Sequence, residues 1–220
     1  MGTKRFIAVT GDAEVTTTPD RAVLALGVEL RDTNQSDAQH NCDVVVRKFL
    51  EVCQNLEISD AHVGTSQLYI QPEYDRNPKT GERKMIGYLV RRSLEVKLND
   101  LGKLGSLMEQ ATAIGINQTS GPRFESSRKR ELQRKALQLA ATEARLNAVA
   151  AAAALDTMVG GVRSIRTTNL HVHHAPRGAR PKVLRAASAS SDNGGADTYS
   201  VGQIRIEAEV AVEFDLTACS

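Results

Sequence analysis

The sequence predicts an α+β fold: a largely antiparallel sheet, or sheets, packed by three helices in the order ββ-α-ββ-α-β-α-ββ. Three observations carry this. Apolar and polar residues alternate near both ends of the chain and in its middle. Three intervening segments change to a period of three or four residues. The strands fall in pairs joined by turn residues, which favours antiparallel pairing with helices on one face.

The elements follow in order. Ile7, Val9, Ala13 and Val15 share one parity, with Gly11 reading as a bulge. After Pro19-Asp20, the residues Ala22, Leu24, Leu26, Val28 and Leu30 do the same, so the opening of the chain predicts a two-stranded hairpin. Cys42, Val45, Phe49, Val52 and Leu56 then recur at helical spacing, with Asn34 or Ser36 available as cap. "HVGTSQLYIQPEYD" and "KMIGYLVRRSLEVKL" read as the next two strands, joined by the charged tip "DRNPKTGERK". In the second of them one face is apolar from Ile86 to Leu98 and interrupted only by Arg92. A second helix ends at Gly115, a good stop signal, and a short strand lies in "TSGPRFESS".

A long helix from about 128 to 155 carries Leu132, Leu139, Leu146 and Ala153 every seven residues, a stripe able to pack on a sheet or on another helix. "MVGGVRSIRTT" suits one more strand. Residues 169–198 show no period and read as a long flexible loop. The chain closes with its clearest strand, in which Ile204, Ile206, Ala208, Val210, Val212, Phe214 and Leu216 oppose Arg205, Glu207, Glu209, Glu213 and Asp215. Strand two through strand five reads βαββαβ, the ferredoxin-like ordering. The whole is expected to form a single domain over 4–217.

Totals narrow the function. A chain of 220 residues with 41% hydrophobic and 25% charged residues has a core to bury. Twenty-eight Lys plus Arg against 26 Asp plus Glu leave a net charge of +2, too balanced to announce a nucleic-acid or membrane-surface binder. With no Trp and 4% aromatics, stacking platforms for single strands are scarce as well. The longest apolar run, Ala148 to Leu155, falls far short of the roughly 20 residues that span a bilayer, so no integral membrane segment is expected. "MGTKRFIAV" moves straight into strand pattern without the apolar core of a signal peptide. The expected location is cytoplasmic as the chain stands, and periplasm or cell envelope if a leader was removed.

Candidate chemistry is sparse. His171, His173 and His174 could ligate zinc, copper or nickel, but a defined site needs rigid ligands, and a solvated loop is the plainer reading. Arg128, Lys129 and Arg130 stand at a helix start, where the dipole disfavours cations, and could meet an anion or an acidic partner; a solvated charged face is again the plainer reading. "DLGKLGS" lacks the frame of a phosphate loop. His40 and His62 are isolated, and there is no GxSxG or HExxH. Cys42, Cys53 and Cys219 are odd in number and form no CxxC pair; the first two, about 16 Å apart along a helix, read as small core hydrophobes. No catalytic or cofactor-binding residues are expected, and the chain reads as a non-enzyme. A hydrolase would require a concave pocket with a base beside a Ser or Cys.

The ensemble of motifs resembles the SIMPL-domain (DUF541) family. "VTGDAEVTTTPDRAVLALGVEL" is similar to its opening strand, Pro-Asp turn and second strand; "VGTSQLYIQPEYD" to its T-S-x-L-x-I-x-P-x-Y segment. "GYLVRRSLEVKLNDLGKLGSLMEQATAIGIN", the long helix and "IRIEAEVAVEFDL" follow in the family's order, from about Ile7 to Leu216. The resemblance implies an α+β protein with no agreed enzymatic activity and no cofactor. In several bacterial members it implies an envelope location, stress association and assembly into large hollow rings, and in a eukaryotic branch an adaptor that binds a signalling kinase. The expected function is therefore a non-enzymatic scaffold that forms a homo-oligomer, with a metal- or anion-binding module or an adaptor for a signalling protein as alternatives. The lack of a signal peptide and the His- and Arg-bearing segment depart from the usual bacterial pattern.

Overall fold

The computed structural model describes residues 5–174 and 201–218. The elements run β1 (Phe6–Thr17), β2 (Arg21–Asp32), α1 (Gln35–Asn55), β3 (Val63–Arg76), β4 (Arg83–Leu98), α2 (Leu104–Ala113), β5 (Gln118–Thr119), β6 (Arg123–Glu125), α3 (Lys129–Ala153), β7 (Thr157–His174) and β8 (Ile204–Ala218). The α+β class and the order of strands and helices agree with the sequence pattern, the short fifth strand being divided into β5 and β6. The described residues divide into two compact units: 20–125, and 5–19 with 126–174 and 201–218.

The unit of residues 20–125 holds an antiparallel sheet in the order β3-β4-β2-β5, with β6 also on β2. That order is the ferredoxin-like one for β2-α1-β3-β4-α2-β5. Asn34 caps α1, its side chain accepting from the Ser36 N–H at 2.9 Å. At the far end of α2, Gly115 takes φ +109, where a side chain would be strained. Leu24, Val28, Leu94 and Leu98 from the sheet meet Phe49 of α1 and Leu107 of α2, all of them buried. Each such side chain contributes about 1.5–3 kcal/mol. Arg92 interrupts the apolar face because α1 answers it: its guanidinium donates to Asp43 at 2.9 Å.

In this unit β4 pairs with β2 only from Tyr88 to Leu98, while its pairing with β3 continues out to Arg76 and Arg83. Past Tyr88 the hairpin is therefore a two-stranded ribbon, neither edge of which pairs with another strand among the described residues. Tyr74, Met85 and Ile86 are exposed there, and Arg83 lies over the Tyr74 ring at 4.7 Å. The apolar face predicted for Ile86 to Leu98 is thus buried only from Val90 inward.

The second unit is a three-stranded antiparallel sheet in the order β1-β8-β7, with α3 across its inner face. The hairpin expected between β1 and β2 does not form: β1 pairs with β8 from Phe6 to Thr17, β2 with β4, and Pro19-Asp20 marks the change of unit. Nor is Gly11 a bulge, since the β1–β8 register runs through it without a shift. Its role is proximity. A Cβ on Gly11 would lie 2.2 Å from the Ala140 carbonyl oxygen and 2.3 Å from the Ala144 nitrogen, inside the backbone of α3.

That closeness explains which face of α3 is buried. The buried row is Leu132, Ala136, Ala140, Ala144, Ala148 and Ala152, at every fourth position. A period of four drifts slowly around a helix of 3.6 residues per turn and follows the twisted sheet beneath. The heptad stripe expected to pack is instead largely outside, with Leu139 and Leu146 exposed. Large side chains would hold the helix off the strand, so alanines line the contact. Asn147 completes it by donating from Nδ2 to the Thr10 carbonyl at 3.0 Å, on the edge strand.

The segment expected as a flexible loop over 169–198 also needs correction in its first part. Residues 169–174 belong to β7 and pair with β8; the remainder lies outside the described residues. Asn169 to His174 lack strong strand formers except Leu170 and Val172, and they are held by the regular partner strand beside them.

Gly11→Ala should lower the urea midpoint by an amount equivalent to about 1–3 kcal/mol, the cost of overpacking. Gly64→Ala is the control: its added carbon meets nothing closer than 3.9 Å, and its stability should stay within about 0.5 kcal/mol of the parent. Equal midpoints for Gly11→Ala and the parent would show that α3 does not rest on β1 in this way.

Candidate functional site on the outer sheet face

The clearest concentration of chemistry lies on the face of the β1-β8-β7 sheet opposite α3. Alternation along β8 places Arg205, Glu207, Glu209, Glu213 and Asp215 there, while the intervening Ile206, Ala208, Val210, Val212 and Phe214 are buried on the other side. Register then fixes the neighbours. Across β1, Glu14 stands opposite Glu207 and Asp12 opposite Glu209. Across β7, His171 stands opposite Glu207, His173 opposite Arg205 and Asn169 opposite Glu209.

The charges form a lattice of ion pairs. Arg205 reaches Glu14 at 3.0 Å, His173 Nε2 lies 3.5 Å from Glu207 Oε2, Arg163 is 3.4 Å from Asp215 and Arg166 is 3.8 Å from Glu213. Arg163 also covers the Phe6 ring at 4.8 Å. Such half-exposed pairs stabilise by about 0–1 kcal/mol each, so they order the face more than they hold the fold. Beside them an open depression of about 830 Å³ is lined by Ala8, Thr10, Ser164, Arg166, Ala211 and Glu213, among others. Ser164 and the Glu213 carboxylate both line it, with no His or Cys among the described lining residues.

His171, His173 and His174 were expected in a loop, and the structure instead sets them on β7. His171 and His173 share parity and their ring centroids are 5.7 Å apart. His174 stands one position on, opposite Ile204, with the parity of Val172. Among the described residues no three His, Cys, Asp or Glu side chains already stand in metal-ligand geometry. The carboxylate that the sequence did not connect to these histidines is Glu207; its sequence signal was the charged face of the last strand, and only the β7–β8 register joins the two.

The remaining candidates are placed as follows. Arg128, Lys129 and Arg130 are exposed at the start of α3, where the Ser126 hydroxyl accepts from the Arg128 N–H at 3.3 Å. The "DLGKLGS" segment is a short 3-10 turn leading into α2, with Asp100 accepting from the Gly102 N–H at 2.9 Å. Cys42 and Cys53 are free and buried on α1, and Cys219 lies outside the described residues. Burial raises the Cys42 thiol pKa, with Asp43 adding to the effect, and pushes Cys53 up to about 11, with Asp60 adding. Both are protonated and unreactive at neutral pH.

The architecture defines the class first: an α+β protein of two antiparallel sheets, one of them ferredoxin-like in strand order. The chain belongs to the SIMPL family, described as a protein of unknown function (DUF541), whose model matches residues 7–214. It is 26% identical over 211 residues to the uncharacterized protein YggE of Edwardsiella ictaluri, covering 96% of this chain and 87% of that one. To YggE of Escherichia coli K12 it is 26% identical over 210 residues, covering 96% and 82%. To the 26 kDa periplasmic immunogenic protein of Brucella melitensis it is 30% identical over 115 residues, covering 51% and 46%. None of these names indicates an enzymatic activity, which fits a non-enzymatic role. Among the described residues no helix is long and apolar enough to cross a membrane.

The raised thiols give a pH dependence with a definite sign. A thiol that keeps its proton in the folded state and loses it earlier when unfolded contributes stability that is full below the ordinary value of 9.0 and is lost as pH rises toward about 11. Cys53→Ala should flatten this alkaline decline in thermal midpoint. In parallel, iodoacetamide at pH 8, with the modified positions read by peptide mass mapping, should label Cys42 and Cys53 only after denaturant is added; rapid native labelling at either of these two positions would contradict their burial.

Proposed function

We propose that this chain is a non-enzymatic scaffold protein that works as a homo-oligomer, with 4–217 acting as one SIMPL-type domain. The observation that carries this is the β3–β4 ribbon past Tyr88. An isolated two-stranded ribbon is marginal in water, and this one exposes Tyr74, Met85 and Ile86, with neither edge paired to a further strand among the described residues. Such an arm gains stability by resting on another surface.

A second copy of this chain suits it. Near the tip, Arg76, Lys79, Arg83 and Lys84 outnumber Asp75 and Glu82. The strand β1 carries Asp12 and Glu14 and, among the described residues, pairs only with β8. A basic ribbon and an acidic edge strand on the same chain complement each other between copies, a heterologous contact that forms a ring where its rotation closes. The Brucella relative is named periplasmic, and we take the cell envelope as the working compartment; an association with stress belongs to the same reading.

Light scattering behind size exclusion tests it. The full chain should elute as one discrete species at several times 23.8 kDa. The triple variant Tyr74→Ser, Met85→Ser, Ile86→Ser should shift toward the monomer without loss of far-UV signal. A parent chain that is monomeric at tens of micromolar concentration overturns the proposal.

A further inference from the structure

We propose that His171, His173 and Glu207 form a binding site for a divalent transition-metal ion, with zinc as the probe, on the outer face of the β1-β8-β7 sheet. The site does not depend on self-assembly.

Two residues apart on one strand, His171 and His173 project from the same face. The antiparallel register, unbroken from Asn169 to His174, puts Glu207 directly opposite His171. A tetrahedral ion with bonds of about 2.0–2.1 Å holds its donor atoms about 3.3 Å apart. His173 Nε2 and Glu207 Oε2 stand 3.5 Å apart, already close to that edge length. The two imidazole rings are tilted by 58° with centroids 5.7 Å apart, and His171 is exposed. In the proposed site the exposed His171 side chain turns so that a ring nitrogen completes the ligand set.

The surroundings favour a dication. Asp12, Glu14 and Glu209 flank Glu207 in the neighbouring register positions. Arg205, opposite His173, is held by Glu14 at 3.0 Å. Two imidazoles and a carboxylate select zinc, nickel or copper(II) over calcium and magnesium, which prefer all-oxygen shells. Three protein ligands leave a fourth position for water, and the site is open to the solvent that supplies it. The β7 strand supplies the rigidity that an irregular His-rich tract lacks.

The test is calorimetric titration of the full chain with zinc, with the visible spectrum of added cobalt(II) as a second readout of tetrahedral ligation. One ion per chain is expected. His171→Ala and His173→Ala should each weaken binding by roughly tenfold or more, and Glu207→Gln should weaken it with the far-UV signal unchanged. His174→Ala should leave binding intact, because that position has the other strand parity. Absence of zinc uptake overturns the proposal. So does a loss in His174→Ala equal to that in His171→Ala, which would mark an unstructured tract, or unaltered binding by Glu207→Gln.

Discussion

The contact between Gly11 and the backbone of α3 is the constraint from which the sheet-and-helix unit follows. With the Ala140 oxygen and the Ala144 nitrogen where a Cβ would stand, only glycine fits on the strand, and only small residues fit along the helix row that faces it. The row of alanines from Ala136 to Ala152 is the other half of the same requirement. Because these side chains are short, the apolar material of the unit comes mainly from the sheet: Ile204, Ile206, Val210, Val212 and Phe214. The leucines of the helix are consequently spare, and Leu139 and Leu146 are left facing outward.

The ferredoxin-like unit solves the same problem in the opposite way. Its two helices cover the sheet through large side chains, Phe49 and Leu107 among them. Arg92, which interrupts the apolar face of β4, is neutralised from the covering helix by Asp43. Both units also carry ion pairs open to solvent, Arg31 with Glu73 at 2.9 Å in this one and Arg205 with Glu14 at 3.0 Å in the other. The difference between the units is one of side-chain volume at the helix–sheet contact.

Much of this was legible in the residues. Period-two segments located every long strand, the cap at Asn34 and the stop at Gly115 bounded their helices, and the βαββαβ order held in three dimensions. Pairing was less legible. Pro19-Asp20 has the composition of a hairpin turn, and nothing local in it says that β1 will seek a strand some two hundred residues away. The buried face of α3 was misread for a related reason: leucines at seven-residue spacing outweigh alanines on any hydrophobicity count, but the close approach of Gly11 rewards small volume. The histidines show the same limit. Their residue types were visible, while the carboxylate beside them belongs to a different strand and is supplied by register alone.

The two buried thiols of α1 have a consequence for the life of the chain before it is folded. Once α1 is docked, Cys42 and Cys53 are sealed beneath it, almost wholly removed from solvent. Their cover, however, includes β4, which ends at Leu98, so a nascent or threading chain displays both sulfurs until that strand has emerged. In an oxidising compartment this creates a race between docking and disulfide exchange with other chains. Yield in such a compartment is then governed by how quickly the N-terminal half of the chain closes over its own helix, a kinetic demand that the finished structure no longer displays.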